Sequence, residues 1–166
     1  MKVQEVMTQD VQSCRPETNL AEAATILWDA DCGLLPVIDE AGKVIGVISD
    51  RDICMAVATK GRTAAEITVQ EVVSNRPIYH CLTEDQLTDA LGVMQQHQVR
   101  RLPIVDRAGT LQGILSINDV ILAASNRGRN KQQGVSLEEA ISTLQAICEH
   151  RISDQTSQQK PRAAQA

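Results

Sequence analysis

The stretch Gly46-Val47-Ile48-Ser49-Asp50-Arg51-Asp52 returns 67 residues later as Gly113-Ile114-Leu115-Ser116-Ile117-Asn118-Asp119, keeping its glycine, its serine and its last aspartate. An apolar run leads into each copy (Val44 to Ile48, Leu111 to Leu115), and a helical pattern leads out (Ile53, Val57; Val120, Ile121, Ala124). Each copy therefore reads as a strand running into a helix. The first turn of a helix carries unpaired N–H groups and the positive end of the dipole, which together can seat an anion. A serine there can add a hydrogen bond to a phosphate, and an aspartate one turn on can accept from the two hydroxyls of a ribose. The same S-x-x-D pattern is also a capping box, which needs no ligand at all.

Working outward, the repetition extends over most of the chain. Lys2-Val3-Gln4-Glu5-Val6-Met7-Thr8 matches Thr68-Val69-Gln70-Glu71-Val72-Val73-Ser74, and after a one-residue insertion Leu20 matches Leu87, Pro36 matches Pro103, and Asp39 matches Asp106. In the first copy Val11 to Cys14 reads as a short strand. Asn19 with Glu22 starts a helix whose apolar stripe is Leu20, Ala23, Ala24, Leu27 and Trp28. Leu34 to Ile38 and Lys43 to Ile48 then form a hairpin about Gly42, and residues 53 to 60 form a second helix. The second copy repeats this order: strand Ile78 to Leu82, helix Leu87 to Gln96, strand Leu102 to Val105, turn at Gly109, strand Leu111 to Leu115, and a helix to about Asn126.

The expected fold class is α+β: tandem βαββα repeats packed about a pseudo-twofold axis, because one copy is too small to cover both faces of its own strands. The expected divisions are 1–66, the first copy with its linker; 67–127, the second copy; 128–151, an extra amphipathic helix; and 152–166, a disordered tail. Ser136 and Glu139 box the start of the extra helix, and Leu137, Ile141, Leu144 and Ile147 or Cys148 give it an apolar face ending near Arg151. Whether that face meets its own module or a second subunit is open at this level. The Gln/Ser/Ala-rich tail is too polar to order itself.

Composition narrows the function. With 43% hydrophobic and 22% charged residues the chain reads as globular, and with one Trp, one Tyr and no Phe its core must be aliphatic. A formal charge of −5 argues against a general nucleic-acid binder, which needs clustered cations and stacking rings. The one basic cluster, Arg127, Arg129 and Lys131, sits in a polar loop. No apolar run reaches the roughly 18 residues of a membrane span, and the N-terminus lacks the apolar core of a secretion signal. Five cysteines without a C-x-x-C suit a reducing cytoplasm. Cys14 and Cys81 at matching positions, with His80 beside the second, could be pictured as a metal pair. Small thiols at equivalent strand positions are more ordinarily core residues. The scattered histidines His80, His97 and His150 suggest no catalytic set, so no enzyme is expected.

A duplicated βαββα unit with x-x-L-P-(V/I)-(V/I)-D, a glycine turn and G-h-x-S-x-x-D entering a helix resembles a tandem pair of cystathionine β-synthase (CBS) domains, a Bateman module. The resemblance covers residues 1 to 125, and the added C-terminal helix is similar to that of small stand-alone bacterial members. It implies a regulatory module binding an adenosyl ligand (AMP, ADP or ATP, or else NAD or S-adenosylmethionine) between the copies. It also implies a homodimer and an unidentified regulated protein. Carried over by position, one site uses Val47, Ser49 and Asp52 with Ile78, Tyr79, Arg100, Arg101 and Pro103. The other uses Ile114, Ser116 and Asp119 with Val11, Gln12, Gly33, Leu34 and Pro36. Arg100 and Arg101 stand where the family places phosphate-binding groups, and guanidinium forks suit phosphate oxygens. Gly33 and Leu34 hold the matching places in the first copy, so the Asp52 site is expected to take the more phosphorylated ligand. The alternative is an interaction scaffold with vestigial clefts.

Overall fold

The computed structural model describes residues 1–74, 76–126 and 135–148. The basic loop cluster, the polar tail and the end of the last helix near Arg151 lie outside them. Helices α1 (Leu20–Asp29) and α2 (Asp50–Lys60) flank a hairpin of β1 (Leu34–Ile38) and β2 (Val44–Ser49). After the short helix α3 (Gln70–Val73), strand β3 (Cys81–Leu82) leads to α4 (Leu87–His97), the hairpin β4 (Arg101–Val105) and β5 (Leu111–Ser116), and α5 (Ile117–Asn126). The hairpins match residue for residue, with Pro36 opposite Val47 and Pro103 opposite Ile114, and each slips register at the same place near its turn.

The expected twofold relation is written into the backbone hydrogen bonds. The hairpin tips bond reciprocally, Val44 N–H to Gly109 O at 3.0 Å and Leu111 N–H to Gly42 O at 3.1 Å. Gly42 and Gly109 both have positive φ, 77° and 85°, as such turns demand. The lead-in segments are exchanged as well. Leu87 N–H donates to Met1 O and Leu20 N–H to Ile67 O, both at 2.9 Å. Val3 is fully buried in the core of the second half with Leu87, Met94 and Leu102, while Ile67 and Val69 are buried in that of the first with Leu20, Leu35 and Ile48. Each copy thus completes the other's core, and the packing crosses the sequence boundary near residue 66.

Three local expectations change. Of the strand expected over Val11 to Cys14, only Cys14 pairs, as a single parallel bridge to Val37. The strand expected over Ile78 to Leu82 shrinks to Cys81–Leu82, the two residues that pair with Ile104 and Val105, with Tyr79 stacked on His97 ahead of them. Trp28 leaves the buried stripe of Leu20, Ala23 and Leu27 and stands 86% exposed. The last helix, α6 (Leu137–Cys148), packs on α4 and α5 of its own chain. Its buried Thr143 accepts a hydrogen bond from Gln95 at 2.9 Å, and its Ser136–Glu139 capping box is formed.

Candidate functional site

Because β2 and β5 run into α2 and α5 at equivalent points, both corners are built alike. Ser49 caps α2: its hydroxyl accepts from Asp52 N–H at 3.2 Å, while Asp52 Oδ2 accepts from Ser49 N–H at 3.0 Å and from Ser49 Oγ at 2.6 Å. Ser116 and Asp119 repeat the arrangement at 3.2, 2.8 and 2.6 Å. The structure therefore realises in full the capping box that the sequence pattern allowed. Ser49 already spends its proton on Asp52, and Arg51 N–H is taken by the Asp50 carboxylate at 2.6 Å. With those amides used and two carboxylates in the first turn of α2, the helix end is a poor seat for phosphate. The groups in the lining with charge complementary to an anion are the guanidiniums of Arg51, Arg100 and Arg101.

The corners differ in what surrounds them. Beside the first lies a cavity of about 370 Å³ between the copies, lined by Gly33, Leu34, Val47, Ser49, Asp50, Arg51, Pro77, Tyr79, Val99, Arg100, Arg101 and Pro103. Six of the eight residues assigned to this site line it: Val47, Ser49, Tyr79, Arg100, Arg101 and Pro103. Asp52 stands behind Ser49 through the capping box, and half-buried Ile78 is outside the lining. Gly33 and Leu34, assigned by position to the other site, line this cavity. Arg101 lies over Gly33: a β-carbon there would stand 3.7 Å from its guanidinium and 3.4 Å from Asp50 Oδ2. Ile114, Ser116, Asp119, Val11, Gln12 and Pro36 do not line the cavity, and Pro36 is buried. A second, larger groove of about 470 Å³ on the α1–α2 face, under Trp28, shares Gly33, Asp50 and Arg101 but lacks Ser49. The site's chemistry is concentrated in the smaller cavity.

Position-matching missed Arg76, whose Nη1 sits 2.5 Å from Asp52 Oδ1. Burial raises the Asp52 pKa, but the Ser49 hydroxyl, Arg76 and the Ser49 amide together outweigh burial and hold the carboxyl below its ordinary value. Tyr79 stacks on half-buried His97, ring centres 3.7 Å apart and planes 11° from parallel, so it serves the core and the cavity wall together. Cys14 and Cys81 belong to separate cores, where burial pushes each thiol up to about 11. No cluster of three metal-ligating residues exists among the described residues. No helix among them is long and apolar enough to cross a membrane.

Two α+β copies that exchange their lead-ins and share a cleft lined by aliphatic, carboxylate and guanidinium groups define a paired-repeat module. The CBS domain model matches residues 3–59 and 69–126, and the chain belongs to that family. It is 34% identical over 139 residues to the CBS domain-containing protein YhcV of Bacillus subtilis, covering 81% of this chain and 91% of that one. Among solved structures it is similar to Hypoxic Response Protein I with two coordinated zinc ions: TM-score 0.68, 26% identity, 74% of this chain and 98% of that one. It is also similar to CBSX2 in complex with AMP: TM-score 0.65, 27% identity, 77% of this chain and 98% of that one.

Proposed function

We propose that this chain is a regulatory module that binds an adenine nucleotide, AMP, ADP or ATP, in the cleft between its copies. The observation that carries the reading is the single cavity in which Val47 and Ser49 of the first copy meet Tyr79, Arg100, Arg101 and Pro103 of the second. Val47, Leu34, Val99 and Pro103 supply apolar walls for a base, as small-molecule sites usually do. Asp52 supplies an acceptor for sugar hydroxyls, and Arg100 and Arg101 supply forks for phosphate. The AMP in CBSX2 supports the ligand class; NAD and S-adenosylmethionine are the other adenosyl candidates. The titratable side chains lining this cavity are the Asp50 carboxylate, the Tyr79 phenol and the guanidiniums of Arg51, Arg100 and Arg101. Binding rather than catalysis is its fitting use. The module is read as a cytoplasmic homodimer that controls a partner protein, with exposed Trp28, Met55 and Val57 on α1 and α2 available for subunit contact.

Thermal denaturation with each ligand tests the proposal. A ligand at a hundredfold excess over its Kd stabilises by about 2.7 kcal/mol, roughly 5–10 °C for a chain of this size. If AMP, ADP, ATP, NAD and S-adenosylmethionine all leave Tm unchanged, the scaffold alternative replaces this reading. Sedimentation analysis decides the dimer.

A further inference from the structure

We infer that Arg76 is a specificity-determining residue of the Ser49 cavity, a displaceable counter-cation that makes binding of the sugar depend on the presence of a phosphate. The inference rests on the nucleotide reading above and deepens it. Asp52 has two oxygens, and Oδ2 is already committed to two donors of Ser49. That leaves Oδ1 to accept from a ribose hydroxyl, and Arg76 Nη1 occupies it at 2.5 Å. The pair is half open to water, with the Arg76 side chain 53% exposed and that of Asp52 22%. An arginine so exposed can leave without the penalty of a buried orphan charge.

The cost of leaving depends on what the ligand offers in return. A nucleoside takes Asp52 and strands the guanidinium. A nucleotide takes Asp52 and presents a phosphate, which a guanidinium binds better than it binds water. Arg76 and Asp52 are not themselves in the cavity lining, but each adjoins it: Pro77, the next residue after Arg76, and Ser49, which holds Asp52, both line it.

The device is confined to one corner. At the place matching Arg76 the first copy has Asp10, and Asp119 Oδ1 meets the Thr8 hydroxyl instead, at 3.5 Å. Arg51 is likewise matched by Asn118. A capping role would need no cation at either corner, and the second corner forms its box without one.

Calorimetric titration of wild-type protein, Arg76→Gln and Arg76→Lys with adenosine and with AMP reads the effect. Arg76→Gln should bind adenosine as tightly as wild type or up to severalfold more tightly, and AMP about tenfold more weakly. The ratio of the two affinities should fall accordingly, and Arg76→Lys should recover part of it. Equal loss for both ligands would mean that Arg76 only steadies the corner, and unchanged affinity for both would mean that it stays on Asp52; either leaves the ratio where it was and overturns the inference. If wild type binds AMP and the ratio does not move, the nucleotide reading stands and this inference alone fails. If wild type binds neither ligand, both fail.

Discussion

Replacing Asp52 by alanine removes a capping-box partner, a cation partner and a proposed sugar acceptor in one step, and the pseudo-twofold supplies the control. Asp119→Ala removes the same capping-box bonds, at nearly the same distances, from a corner that does not line the cavity. Loss of a cap interaction costs about 0.5–2 kcal/mol, and the exposed Arg76 pair adds at most about 1 kcal/mol at Asp52. Both variants should therefore fold and melt lower, Asp119→Ala by roughly 1–8 °C and Asp52→Ala by more, up to about 12 °C. Saturating AMP, ADP or ATP should then restore about 2.7 kcal/mol to wild type and Asp119→Ala at a hundredfold excess over Kd, and little or nothing to Asp52→Ala. Differential scanning fluorimetry with and without nucleotide reads both quantities. The reasoning is refuted if Asp52→Ala keeps the full ligand increment, or if Asp119→Ala loses it equally. The pH dependence has a fixed sign. Because folding lowers the Asp52 pKa, its contribution is present above the unfolded carboxyl value near 3.9 and is lost as pH falls through the lower folded value. Asp52→Ala should flatten that part of the acid limb.

Arg101→Ala should weaken ATP and ADP more than adenosine in calorimetric titration, since its guanidinium supplies charge rather than a wall; equal loss for all three would remove the phosphate role. Gly113→Ala puts a β-carbon 2.5 Å from Thr8 O, forcing apart the two bonds between Thr8 and Ile114, 2.9 and 3.0 Å. It should lose about 2–3 kcal/mol, seen as a fall in urea midpoint. Gly92→Ala, in α4 with open space around it, should gain about 0.5–1 kcal/mol. In the native protein a thiol reagent at pH 8 should label exposed Cys54 and Cys148 quickly. Cys14 and Cys81, whose thiols burial holds near 11, should react only after unfolding; mass spectrometry of the labelled peptides counts them.

The duplicated hairpins and the helices after them were legible because register and turn chemistry are local: Pro36, Gly42 and Gly46 recur as Pro103, Gly109 and Gly113. The exchange of lead-ins was not, since a buried Val3 or Val69 carries no mark of which core receives it. The overlong first strands came from reading apolar letters as pairing, where parallel contact is limited to one residue at Cys14 and two at Cys81–Leu82. Trp28 was misplaced because a stripe read at helical spacing has uncertain edges. At the candidate site, position-matching gathered most of the cavity wall but divided Gly33 and Leu34 from it. Near a pseudo-twofold axis, matched residues such as Leu34 and Arg101 can face the same space. Arg76 was missed because its partner lies 24 residues away and because it falls in the stretch where the one-residue insertion shifts the match between the copies. The exchange of Asp10 for Arg76 between copies was the available signal.

The capping box and the ligand site are not rival readings of S-x-x-D. Two donors of one serine consume one oxygen of the aspartate at both corners, so the motif fixes the carboxylate's orientation and leaves one oxygen to be used. What uses it is set by residues outside the motif, and those are what duplication has let diverge: Arg51, Arg76, Arg100 and Arg101 against Asn118, Asp10, Gly33 and Leu34. The backbone frame is common to both halves, so the shared fold cannot favour one corner over the other. Four guanidiniums against the carboxylates of Asp50 and Asp52 leave one corner of a chain with net charge −5 locally positive, and within a Debye length such a cluster outweighs the diffuse charge of the whole. On the proposed function, the Ser49 corner should favour an anionic ligand through side chains alone, and that preference should weaken as salt rises, while any apolar contribution to base binding should not.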